Sequence, residues 1–285
     1  MTMSPRSWVA ITFASLVVAG CGSATTAPAS PVASAQQPVP PDAPLGHAPT
    51  LADLAWLDGD WHNAALDSHW RTIAGAMYGV VLDPQGGFEV TIIDDSDDDG
   101  KPAPISMIAI SNGREQMTFA LRAATTTSVD FAGDHGRVAH VARRPDGWRG
   151  AFTAPPQPEA AVDVTRAPAA SAPALEAADR AFAADTARDG ADGWARAFAP
   201  DGAQWERGAR IEGDAIRAGI AKTLAAGALA WEPVASATNG GIGYTAGTWT
   251  FTANGAIVAR GSYVTIWERQ RDGSWKVAFD TGRPV

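Results

Sequence analysis

Hydrophobic and polar residues alternate in short runs through the middle of the chain. His69–Gly75, Met77–Leu82, Phe88–Ile93, Ile105–Ile110, Gln116–Leu121, Ser128–Phe131, Val138–Ala142 and Trp148–Thr153 each show a period near two, as strands with unlike faces do. Pro84-Gln85-Gly86-Gly87, Asn112-Gly113 and Pro145-Asp146-Gly147 separate them with hairpin chemistry. Ala161–Arg166 alternates well enough to add one more strand. Short strands at regular spacing predict an N-terminal antiparallel β-barrel-like domain over residues 50–167.

Beyond residue 168 the period lengthens. Leu175, Ala178 and Phe182 form a helical stripe that ends at Asp189-Gly190. Asp192 is placed to cap a second helix that carries Trp194 and Phe198 and stops at Pro200. Asp201–Glu206 suits a short strand, and Asp214 is placed to cap a third helix with Ile216, Ile220 and Leu224 on one stripe. Four strands follow, Leu229–Thr238, Ile242–Thr252, Ile257–Arg269 and Trp275–Thr281, joined by Gly-rich turns. Residues 168–285 therefore read as an α+β cone, with helices packed on a curled antiparallel sheet, and the fold class is mixed. In the third of these strands Tyr263, Thr265 and Trp267 share one face, and Val264 and Ile266 the other. Both faces look covered: one by helices or a cavity, the other by the first domain or by a partner subunit in a homodimer through the cone sheet.

The start of the chain carries an address. Thirteen apolar residues from Trp8 to Gly20 follow Arg6, too few to cross a bilayer of about 30 Å. The run ends Leu16-Val17-Val18-Ala19-Gly20-Cys21, which resembles a bacterial lipobox. That resemblance implies a lipoprotein signal peptide over residues 1–21 and lipidation of Cys21, which would hold the protein on a membrane without a spanning helix. Gly22 is not the Asp that resembles an inner-membrane retention signal, so the expected location is the cell envelope, on the outer membrane's periplasmic face. Residues 22–49 are rich in Pro, Ala and Ser with one charge, Asp42, and read as a disordered tether.

Composition narrows the function classes. The chain has 285 residues, 46% hydrophobic and 19% charged, with a net charge of −9, so nothing favours binding to nucleic acid. A single cysteine excludes an intramolecular disulfide and a Cys-built zinc site. Gly241-Ile242-Gly243-Tyr244-Thr245-Ala246 loosely matches a dinucleotide fingerprint but leads into a strand, where no helix N-terminus can hold phosphate. No phosphate-binding Walker sequence or Gly-x-Ser-x-Gly elbow is present, and no cofactor is expected. Asp95, Asp97, Asp99 and Gly100 have the spacing of a calcium loop, but Ser106 stands where the final carboxylate belongs and Pro102 and Pro104 interrupt the exit. A solvated acidic hairpin tip is the simpler account of them, so no metal is expected there. His62, His69, His135 and His140 match no zinc pattern and read as surface or capping residues.

Two family resemblances add to this reading. Leu54-Ala55-Trp56-Leu57-Asp58-Gly59-Asp60-Trp61, Trp70 and Gly75-Ala76-Met77-Tyr78-Gly79 together resemble a bacterial family of uncharacterised lipocalin-like domains. Ser68 replaces the Glu that this family commonly has two positions before the second Trp. Asp201-Gly202, Gly213, Gly243-Tyr244, Gly247-x-Trp249, Gly261-x-Tyr263, Trp267 and Asp272-Gly273-x-Trp275-Lys276 resemble the SnoaL-like branch of the nuclear transport factor 2-like cone. The second resemblance implies a pocket inside the cone, which some relatives use as ketosteroid-isomerase-like enzymes or polyketide cyclases.

The residues speak for a pocket more than for a reaction. Trp205, Trp231, Tyr244, Trp249, Tyr263 and Trp267 are the candidate ligand-binding residues, since indoles offer large apolar faces and a spare N–H. The candidate acid–base residues are Asp280, Glu206 and Tyr263, with Tyr244 and Asp179 behind them. On regular alternation Asp280 shares a face with Lys276 and opposes Trp275, Val277 and Phe279, which suits an ion pair as well as catalysis. The expected function is a membrane-tethered periplasmic lipoprotein that binds a small, partly apolar ligand in its cone. An isomerase- or cyclase-type enzyme using a buried carboxylate and a non-catalytic envelope scaffold are the alternatives.

Overall fold

A computed structural model describes residues 41–97 and 99–285; the expected signal peptide, Cys21 and the expected tether up to residue 40 lie outside the described residues. A 3-10 turn, Leu51–Leu57, opens the first unit and buries Leu54 and Leu57. Ten strands follow: β1 (Gly59–His62), β2 (Asp67–Ile73), β3 (Ala76–Leu82), β4 (Phe88–Ser96), β5 (Pro102–Ser111), β6 (Glu115–Ala124), β7 (Ser128–Gly133), β8 (Val138–Arg143), β9 (Gly147–Thr153) and β10 (Ala160–Arg166). Each pairs antiparallel with its neighbours, and β1 meets β10 with Trp61 opposite Arg166, so the sheet closes into a barrel without free edges. The alternation expected for eight runs and a ninth is present. The short β1, hidden in the Trp-rich opening, is the strand that pattern alone missed. Pro102 and Pro104 begin β5 and do not interrupt it, because they occupy exposed positions at the strand's start.

The barrel's interior is filled. Trp61, Trp70, Met77, Phe119, Phe131, Trp148 and Phe152 pack there with Leu54 and Leu57, leaving a void of about 30 Å³ beside Trp70 and His140. Such a void suits water and is too small for a ligand. Asp42 and Pro44, read as part of the tether, are fastened to the barrel. Pro44 bridges Thr125, and Asp42 accepts hydrogen bonds from the hydroxyls of Thr125 and Thr127.

The second unit has three helices, α1 (Pro173–Asp189), α2 (Ala191–Ala197) and α3 (Asp214–Ala226). Its sheet comprises β11 (Phe198–Glu206), β12 (Ala209–Glu212), β13 (Ala228–Asn239), β14 (Ile242–Ala253), β15 (Ala256–Arg269) and β16 (Trp275–Pro284), ordered β12-β11-β16-β15-β14-β13. The sheet is not wholly antiparallel as expected: β11 leaves α2 running alongside β16 in the same direction. Asp192 and Asp214 do not cap their helices; Gly190 and Gly213 take those positions at φ 62° and 54°. The two aspartates fall in the first turn instead, where their charge suits the helix N-terminus, and Asp192 pairs with Arg217.

The barrel covers the outer face of this sheet. Tyr78, Val80, Leu82, Phe88, Val90 and Ile92 from the barrel form one apolar core with Tyr244, Val264, Ile266 and Phe279 from the cone. β3 and β4 are accordingly buried on both faces and carry nearly continuous apolar sequence. Of the two covers expected for that face, the first domain and a second copy, the first domain occupies it. Two buried polar contacts fix the register: Arg283 Nε donates to Asp94 Oδ2 at 2.7 Å, and Tyr78 and Ser262 hydroxyls lie 2.9 Å apart.

Candidate functional site

A β-bulge decides what lies inside the cone. Across β15 and β16, Ile266 pairs with Phe279 but Trp267 pairs with Val277, so Ala278 is the extra residue. Val277 packs with Trp267 towards the helices, and Phe279 packs into the barrel-facing core. Regular alternation would put these two on one face. The bulge separates them and turns Asp280 to the inside, opposite Thr265. Asp280 is therefore not paired with Lys276 and shares its face with Val277, while Phe279 stays on the opposite one.

Asp280 lines a cavity of about 340 Å³ between the helices and the inner face of the sheet. Trp194, Trp205, Trp231 and Trp249 wall it with Phe182, Leu229, Phe251 and Tyr263; Glu206 and Gln204 face it from β11. The volume lies within the ordinary range for a small-molecule site. Phe182, Trp194 and Trp231 form a tight aromatic cluster, with ring centroids 4.7 to 5.4 Å apart, that stiffens the helix side. Among the described residues, the indole N–H groups of Trp194 and Trp205 are buried without a partner.

Two of the six expected ligand-binding aromatics are elsewhere. Tyr244 points to the barrel, where its ring lies 5.2 Å from His69. Trp267 is buried in the helix-facing core and donates to Thr245 Oγ1 at 2.8 Å. Trp205, Trp231, Trp249 and Tyr263 do line the cavity. Trp194, carried by the second helix, joins them.

Two buried carboxyls serve the cone differently. Asp179 on α1 is fully buried and accepts hydrogen bonds from Trp231 Nε1 and Tyr263 OH, each at 2.7 Å. Burial pushes its carboxyl up, against the hydrogen bonds from Tyr263, Thr245 and Trp231. Burial and the facing Asp179 also raise the Tyr263 phenol, which stays protonated. This network ties α1 to the sheet, and both Asp179 oxygens are engaged. Asp280 has one side-chain hydrogen bond among the described residues, from Thr265 Oγ1 to Oδ1 at 2.7 Å. Burial raises its carboxyl to about 7. Glu206 is an exposed residue at the cavity's rim.

The remaining candidates do not assemble. Asp97 accepts the backbone N–H groups of Asp99 and Lys101 and so shapes its own turn. Among the described residues no cluster of three His, Cys, Asp or Glu could hold a metal ion, so Asp95, Asp97 and Asp99 form no ligand set. His69 is not a surface residue: it is buried between barrel and cone and hydrogen-bonds Asp60 at 2.7 Å. Burial lowers its pKa, against the pull of Asp60. His140 is half-exposed and pairs with Asp130.

No family model and no curated protein matches the chain. Solved structures are similar to part of it. A protein of unknown function from Mycobacterium tuberculosis is 21% identical over 39% of this chain and 74% of that one, with a TM-score of 0.35. A ketosteroid isomerase-like protein from Erwinia carotovora atroseptica is 17% identical over 40% of this chain and 95% of its own, with a TM-score of 0.36. A nuclear transport factor 2-like protein with a cystatin-like fold from Novosphingobium aromaticivorans is 16% identical over 39% and 79%, with a TM-score of 0.34.

Proposed function

We propose that this chain is a binding protein of the bacterial envelope, tethered through Cys21, that holds a small and partly apolar ligand in its cone. The observation that carries the binding reading is the cavity of about 340 Å³, whose wall is mostly indole and phenyl and whose polar groups are few. The tether reading rests on the lipobox-like sequence ending at Cys21. The fold is compatible with it. Asp42 and Pro44 join the barrel at the β6–β7 turn, on the barrel end where Asp99 approaches Arg207 at the cone's mouth at 3.8 Å. No helix among the described residues is long and apolar enough to cross a membrane.

Fluorescence titration with N-phenyl-1-naphthylamine, a neutral apolar probe, tests the reading. Saturable binding with quenching of tryptophan emission is expected. Ala259→Trp, which places an indole at the mouth, should abolish it without unfolding the protein. Absence of saturable binding, or binding unaffected by the plug, would sink the proposal.

One observation favours a second reading, proton transfer to or from the bound molecule. A carboxyl raised to about 7 inside a cavity is poised to exchange a proton at neutral pH. Asp280 would be the exchanging group, because both oxygens of Asp179 are already occupied by Trp231 and Tyr263.

A further inference from the structure

The polarity of the cavity is lopsided. Its lining includes two carboxyl groups, Asp280 and Glu206, and among the described residues no Lys, Arg or His. Asp179 stands behind Tyr263 and adds a third carboxyl to the same region. Counter-charge for these groups does not come from the wall: Glu232, outside on β13, pairs with Arg180, and the exposed Lys276 donates to the backbone of Arg196.

The apolar part is ordered along the depth of the cone. Towards the mouth, Thr223–Trp231 and Gly247–Ala259 contain no charged residue. Leu229, Phe251 and Ala259 line the cavity there, and Ile257 and Val258 beside them are more than half exposed. Thr265, opposite Asp280, lies six residues further along β15 than Ala259, or roughly 20 Å of strand. Behind it Trp267 closes the deep end. The carboxyl thus sits deep relative to the β13–β15 lip, with indoles between the two, and the charged part of the rim is on β11 at Glu206.

We propose that the cone recognises an amine-bearing amphiphile, whose ammonium group meets the carboxyl of Asp280 while Trp205, Trp231 and Trp249 wall its apolar body. Resting on the binding reading above, this narrows the class of ligand. An ammonium donates a charge-assisted hydrogen bond to the oxygen that Thr265 leaves unused, and the surrounding ring faces attract a cation. A carboxylate ligand would meet like charge and no cation. An alcohol fits the shape but forgoes the ionic part of the contact. The spare indole N–H groups of Trp194 and Trp205 suit an acceptor elsewhere on the molecule.

The same geometry makes the affinity depend on pH. The titratable groups around Asp280 are Tyr263 on β15, Asp179 on α1, Glu206 on β11 and, from the barrel, Tyr78 on β3, with Gln204, Thr245 and Thr265 as neutral neighbours. In the empty cavity the carboxyl holds its proton up to about pH 7. An ammonium guest favours the carboxylate, so below that pH binding must expel a proton and weakens by up to about tenfold per unit.

Competition against N-phenyl-1-naphthylamine with octylamine, octanol and octanoate decides the matter. Octylamine should bind about tenfold more tightly than octanol at pH 8, with octanoate weakest. Its affinity should fall from pH 8 to 5.5 while that of octanol stays level, and calorimetry in two buffers should show proton release near pH 6. Asp280→Asn should bring octylamine to within threefold of octanol. Glu212→Gln, on β12 outside the cavity lining, should leave the preference in place. Octanol matching octylamine at pH 8, a preference lost with Glu212→Gln, or a flat pH profile in the unmodified protein would overturn the amine proposal even if Asp280→Asn failed to fold. If the naphthylamine binds and none of the three octyl compounds displaces it, the amine proposal falls and the binding reading survives. If the naphthylamine does not bind either, the binding reading falls with it.

Discussion

Removing one member of the Asp94–Arg283 pair tests whether barrel and cone fold as a single unit. The pair joins β4 to β16 with Nε 2.7 Å from Oδ2, and the two side chains are 2% and 11% exposed. Burial pushes the Asp94 carboxyl up, and the Arg283 guanidinium acts against that rise. Asp94→Asn leaves a guanidinium facing a neutral amide. Arg283→Met leaves a carboxylate beside Ser106, 3.4 Å away. Breaking a buried pair from one side typically costs 3–5 kcal/mol, and the partial exposure of Arg283 puts each single variant near the lower end, at about 3 kcal/mol. The double variant removes both charges from the interface, so its cost should fall short of the sum by more than about 1 kcal/mol. Urea unfolding followed by tryptophan emission and by far-ultraviolet circular dichroism reads both quantities. Because the domains share one apolar core, the two probes should report a single coincident transition in the unmodified protein. Single variants costing under about 0.5 kcal/mol, strict additivity, or two separate transitions would each refute the reasoning.

Further expectations follow from the cone and the barrel. Asp280 and Glu89 are both raised to about 7 by burial. An acid whose folded pKa lies above its unfolded value contributes stability below the unfolded pKa and loses it as pH rises through the folded one. Relative to the unmodified protein, Asp280→Asn and Glu89→Gln should therefore each gain stability between pH 4.5 and pH 8, by about 3 kcal/mol, measured by urea midpoints at the two pH values. Gly261→Ala would put a Cβ 2.0 Å from the Arg283 carbonyl and 2.5 Å from the Trp249 ring; loss of soluble folded protein is expected on expression. Ile257→Ser, at a residue 53% exposed, should change the melting temperature by no more than a degree or two.

Much of the architecture is local and was legible. Strand alternation, hairpin glycines and helical stripes are set by residues within a few positions of one another, so nine of the barrel's ten strands, three helices and the four-strand meander follow from reading along the chain. The four-residue β1 is too short to show a period. The short β12 (Ala209–Glu212) escaped for the same reason.

The site is legible only in part, because it depends on partners distant in sequence. Trp205, Trp231, Trp249 and Tyr263 follow from residue type and parity. Asp280 faces the cavity because Ala278 bulges out of register with β15, and a bulge is a property of two strands that neither sequence shows alone. Tyr244 carries the same aromatic signal as Tyr263 but lies on the other face of the sheet, and that face was committed to the barrel when Tyr78, Val80 and Phe88 packed on it. His69 looked like any surface histidine until the docking of the two units buried it. The sequence by itself determined which elements form and which faces are apolar, since neighbouring residues settle both. Only the tertiary structure decided which apolar face encloses a cavity and which is sealed by the other domain, because burial depends on what packs across it.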